Sequence, residues 1–93
     1  MNINYESLPE GLQDSMMRYI EHGIKPGSFL EAVLTNDLFG ALGKADSINR
    51  HLLFDICQWI YNEAPYNCWG SRERFEAWIA QDGLKGEKRK GVL

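Results

Sequence analysis

Arg18, His22 and Lys25 run directly into Gly27-Ser28, a combination suited to holding an anion. A guanidinium, an imidazole and an ammonium supply charge-assisted donors, while the backbone amides of a helix opening at Ser28 carry partial positive charge. A phosphate or carboxylate seated there would meet both. The competing arrangement leaves Lys25 in solvent, sets His22 against the last carbonyls of its own helix, and pairs Arg18 with Asp14 or Glu21 along one helix face.

Asn36 and Asp37 form a second polar group, at the edge of the apolar stripe of Leu30, Val33, Leu34, Leu38 and Ala41. Either Asp37 pairs with Arg50 or His51 and fixes helix register, or Asn36 and Asp37 line a pocket and hydrogen-bond a sugar or a purine edge. Asn49, Asn62 and Asn67 are further candidates for such a lining. Among the aromatics, helical spacing sends Trp59, Phe75 and Trp78 to the core, whereas Trp69 stands in a loop between Pro65 and Gly70. Its indole either covers the end of the bundle or offers a flat face to a base or a partner protein. The candidate ligand-binding residues are therefore Arg18, His22, Lys25, Gly27, Ser28, Asn36, Asp37 and Trp69.

Catalytic chemistry has little to stand on. Cys68, His22 and His51 belong to no nucleophile motif, so the expectation is a protein that is not an enzyme and carries no cofactor. Cys57 and Cys68 lack the paired spacing of a zinc site, and no metal is expected. Cys57 falls within an apolar helical face and is expected in the core; Cys68, in the Tyr-Asn-Cys-Trp-Gly loop, is expected to be partly exposed.

The elements that must position these residues read as about four helices and no strand pair, an all-α bundle. Ser7-Leu8-Pro9-Glu10 starts the first, with Leu12, Met16, Tyr19 and Ile20 on its buried face. Gly23 ends it in the left-handed conformation, and Pro26-Gly27 prevents either helix from running through. Ser28 and Glu31 have the spacing of a capping box for a second helix that continues to Ala45. Within it, Gly40 and Gly43 remove side-chain bulk and are expected to let another helix cross closely. Asp46 or Ser47 caps a third helix, whose stripe of Ile48, Leu52, Leu53, Ile56, Trp59 and Ile60 predicts a central position. It stops at Ala64-Pro65. Ser71 caps the fourth, which Asp82-Gly83 closes.

Length and charge bound the rest. The 93 residues make one domain with a modest core, a size at which self-association adds needed burial. Residues 1–82 carry six Lys/Arg against twelve Asp/Glu, whereas residues 83–93 carry four Lys/Arg against one Glu. The expected organisation is a helical domain over 1–82 and a flexible basic tail over 83–93. An acidic body argues against a nucleic-acid-binding face, including a helix-turn-helix, which needs many Lys/Arg contacts to phosphates. No apolar run approaches the ~20 residues that cross a bilayer, so no membrane association is expected.

The run RYIEHGIKPGSFLEAVLTNDL from Arg18 to Leu38, followed by Ala45-Asp46, Trp59-Ile60-Tyr61-Asn62, Ala64-Pro65 and Cys68-Trp69-Gly70-Ser71, resembles a group of small uncharacterised accessory proteins encoded by tailed bacteriophages and prophages. The resemblance covers roughly residues 8–80. It implies a setting, the host bacterial cytoplasm during infection, and a protein that acts on host pathways by binding. The leading expectation is a counter-defence protein that sequesters a small anionic, nucleotide-type ligand. The alternative is a stoichiometric protein inhibitor, docking on a basic host surface through the acidic helix faces of Asp14, Glu21, Glu31, Asp55, Glu73 and Glu76.

Overall fold

The computed structural model describes residues 3–91, and every regular element among them is helical. Seven α-helices follow in order: α1 (Glu10–His22), α2 (Ser28–Leu34), α3 (Leu38–Lys44), α4 (Ser47–His51), α5 (Leu53–Glu63), α6 (Arg72–Ala80) and α7 (Gly83–Gly91), with 3₁₀ turns at Tyr5–Ser7 and Tyr66–Cys68. The expected four become seven because two of them are interrupted and the basic segment adds another. The apolar period from Ser28 to Ala45 runs on unbroken, but Asn36 takes a left-handed conformation at φ 66° and the chain restarts with Asp37 as the cap of α3. Asn tolerates that region better than other non-glycine residues. The third expected helix breaks at Leu52, which closes α4 and opens α5.

Two caps stand as the sequence implied. Asp46 accepts from the Asn49 N–H at 2.7 Å to start α4, and Ser71 accepts from the Arg74 N–H at 3.1 Å to start α6. Gly23 ends α1 at φ 70°, its N–H donating to the Tyr19 carbonyl at 2.9 Å. The Ser28 capping box does not form: Gly27 is the cap of α2, without a side-chain bond, and Ser28 is its first helical residue.

The core is built from Met16, Tyr19 and Ile20 of α1, Leu34 of α2, Ile56 of α5, and Phe75 and Trp78 of α6, all fully buried. Tyr19 stacks on Phe75 with ring centroids 5.2 Å apart and donates its hydroxyl to the Cys68 carbonyl at 2.6 Å. The Trp78 indole N–H is shared between the carbonyls of Tyr19 and Ile20, at 3.1 and 3.2 Å. These bonds satisfy the polar ends of aromatic side chains that the core would otherwise bury at a cost.

The segment from residue 83 begins as α7 rather than as a solvated tail, and it packs against α1. Gly83 and Gly86 are buried there, and Leu84 packs on the core. Residues 92 and 93 lie outside the described residues. The close approach of backbones occurs here and not at the glycines of α3, since Gly43 faces open space and Gly40 lies against the carboxylate of Asp37. Among the described residues, no helix is long and apolar enough to cross a membrane.

Candidate functional site

The junction between α1 and α2 does not assemble the expected anion site. Arg18 and His22 are exposed on α1, and Lys25 reaches Glu31 at 3.5 Å. Glu31 sits in the first turn of α2 and also receives Arg72 of α6 at 3.1 Å. Partial burial raises its proton affinity, yet Arg72 and Lys25 outweigh that and hold the carboxyl below the usual carboxylate range. A carboxylate of the chain itself therefore engages Lys25, while Gly27 and Ser28 are exposed. Nor does Asp37 pair with Arg50 or His51: it is exposed, and its side chain accepts from the Gly40 N–H at 3.0 Å.

Two of the expected residues do come together. Asn36 and Trp69 line one cavity of about 250 Å³ with Val33, Cys57, Ile60, Tyr61 and Gly70. The loop carrying Trp69 is pinned from both sides, because Tyr19 bonds the Cys68 carbonyl and the Gly70 N–H donates to the Leu34 carbonyl at 2.8 Å. That second bond fastens the loop to the end of α2, two residues before the left-handed Asn36. Gly70 is at φ 108°, a region that favours glycine. Trp69 is half-buried and meets Tyr61 at 6.0 Å in a tilted pair. Its indole nitrogen is buried and has no hydrogen-bond partner among the described residues.

Arg74, which the sequence did not single out, holds this loop from α6. Its guanidinium lies over the Tyr66 ring at 4.6 Å and donates to the Trp69 carbonyl at 3.3 Å.

Asp37 lines a smaller adjoining recess with Leu38, Ala41 and Leu53, and a shallow depression on the other side is lined by Phe54, Gln58, Tyr61 and Asn62. Cys57 borders all three. Around it Leu38, Phe54 and Tyr61 are 54 %, 75 % and 75 % exposed, an unusual degree for large apolar side chains on one contiguous surface. The signal was present in the sequence: Phe54, Cys57 and Tyr61 recur at spacings of three and four, about 100° around the helix from Leu53, Ile56 and Ile60, so the apolar arc of α5 is wider than a single packed stripe.

The cysteines exchange their expected places, Cys57 being exposed and Cys68 buried. Burial pushes the Cys68 thiol up to about 12, from an ordinary value of 9. Alkylation with iodoacetamide at pH 8 is thus expected to modify Cys57 and spare Cys68 in the folded chain, read by peptide mass mapping; modification of both at similar rates would contradict the packing. Above pH 9 the unfolded chain releases the Cys68 proton while the folded chain keeps it. Stability therefore falls as pH rises through that interval, by up to about 1.4 kcal/mol per unit.

Among the described residues, no group of three His, Cys, Asp or Glu is placed to hold a metal ion. Comparison with protein-family models, with curated proteins and with solved structures finds no match.

Proposed function

We propose that this chain is a non-enzymatic binding protein that docks on a protein partner through the aromatic and aliphatic face shared by α3, α5 and the Trp69 loop. The observation that carries this reading is the continuous patch around Cys57, where Leu38, Phe54 and Tyr61 stand in solvent beside a cavity sized for one large apolar side chain. The resemblance to phage and prophage proteins makes a host bacterial protein the expected partner and counter-defence the expected purpose. The acidic surface of the body then favours a partner that is basic around its apolar contact.

A second reading keeps the nucleotide-type ligand but moves it from the helix junction to the cavity. It is favoured by Asn36, Tyr61 and Trp69, which offer a carboxamide and two aromatic faces to a planar ring. No cation among the described residues lines that cavity, so the ring and not the phosphate would carry recognition.

Pull-down from bacterial lysate with paired variants tests both. Phe54→Glu is expected to weaken partner capture at least tenfold, while Arg18→Ala and Lys25→Ala leave it unchanged. Retention of the partner by Phe54→Glu would end the docking reading. A thermal shift with nucleosides that Trp69→Ala abolishes would favour the second reading. A concentration-dependent mass lost in Phe54→Glu would assign the face to a second copy of this chain.

A further inference from the structure

We propose that the groove between the start of α1 and the side of α5 is a binding site for an extended, basic peptide segment. The groove has a volume of about 520 Å³ and is lined by Pro9 and Trp59, by the carboxylates of Asp55 and Glu63, and by the carboxamides of Gln58 and Asn62, among others. Among the described residues no Lys or Arg lines it, and none pairs with either carboxylate.

Asp55 and Glu63 are eight residues apart on one helix, which separates them by about 12 Å along its axis. An extended chain advances about 3.3 Å per residue, so side chains four residues apart lie on one face at a matching separation of about 13 Å. The groove thus suits Lys or Arg at positions i and i+4 of a strand-like segment. Pro9 supplies apolar surface for the aliphatic stems over the nearly buried edge of Trp59, whose indole N–H is already engaged by the Asn4 carbonyl at 2.9 Å.

The carboxamides decide between a peptide and a simple polyamine. Gln58 and Asn62, one turn apart, each donate and accept, which matches the N–H and C=O of a peptide backbone. A polyamine has no acceptor to offer them. Gln58 and Asn62 also border the depression beside Phe54, so they form the ridge between this groove and the docking face. The groove stands independently of that face.

Isothermal titration of the full chain with a capped peptide Gly-Lys-Ala-Ser-Ala-Lys-Gly tests the site. Binding is expected, with an affinity lowered at least tenfold by Asp55→Asn with Glu63→Gln and unchanged by Lys44→Gln at the exposed end of α3. Gln at position 63 keeps an acceptor for the Asn4 N–H, which Glu63 engages at 3.2 Å. The same peptide with Glu in place of Lys is expected not to bind. Should the double variant fail to fold, the Trp59 indole resonance of the wild-type chain supplies the readout, shifting on titration with the Lys peptide. No binding of the Lys peptide, an affinity unchanged in the double variant, an unmoved Trp59 resonance, or spermidine binding as tightly as the peptide would each overturn the proposal.

Discussion

Gly83→Ala is expected to unseat α7 from the end of α1 and to destabilise the fold by about 2–5 kcal/mol, combining left-handed strain with overpacking. Gly83 is at φ 67°, and a Cβ there would stand 2.6 Å from the Gly23 nitrogen, 2.7 Å from the Ile20 carbonyl oxygen and 2.9 Å from the Glu21 carbonyl carbon. All three are backbone atoms of the α1 terminus and cannot swing aside as a side chain would. The contact is reciprocal, since a Cβ on Gly23, at φ 70°, would lie 2.8 Å from the Gly83 nitrogen. Amide hydrogen exchange over α7 and a urea titration read the two parts of the effect. The matched control is Gly43→Ala in α3, where nothing lies within 4 Å and the helical backbone gains up to about 1 kcal/mol from the change. A Gly83→Ala protein as stable as wild type would mean that the two backbones are not apposed.

Trp78→Ala is expected to cost about 3–5 kcal/mol, the range for removing a buried aromatic. Domains of this kind are stable by only about 5–15 kcal/mol, so much of the total is at stake. Trp78 is 1 % exposed and joins α6 to α1 twice, by packing and by the indole bonds to Tyr19 and Ile20. Trp78→Phe separates the contributions: it keeps most of the ring contact but removes the donor, at about 1–2 kcal/mol. Urea unfolding followed by far-ultraviolet circular dichroism measures both, with a lowered midpoint and an unchanged slope expected. Near-equal midpoints for wild type and Trp78→Ala would show that the indole is not part of the core.

The sequence by itself determined the helical class, the buried face of α1, its ending at Gly23 and the cap at Ser71, and narrowed the cap of α4 to Asp46 or Ser47. Each is a local matter of side-chain period, left-handed tolerance or a hydroxyl or carboxylate within three residues of the amide it serves. Trp59, Phe75 and Trp78 were likewise legible as core from spacing alone. The tertiary structure decided what local rules leave balanced. The break at Asn36 costs little in a small polar residue and is fastened by Gly70, far along the chain, donating to Leu34. Glu31 was free to cap its own helix, yet Arg72, 41 residues away, takes its carboxylate. Cys57 is exposed because the apolar arc of α5 is wider than the stripe its neighbours cover, and Cys68 is buried because Tyr19 and Leu34 hold its loop against the bundle. For the same reason Asn36 and Trp69 could be picked out as residues from the sequence, while their meeting in one cavity could not. It depends on a loop held simultaneously by α1, α2 and α6.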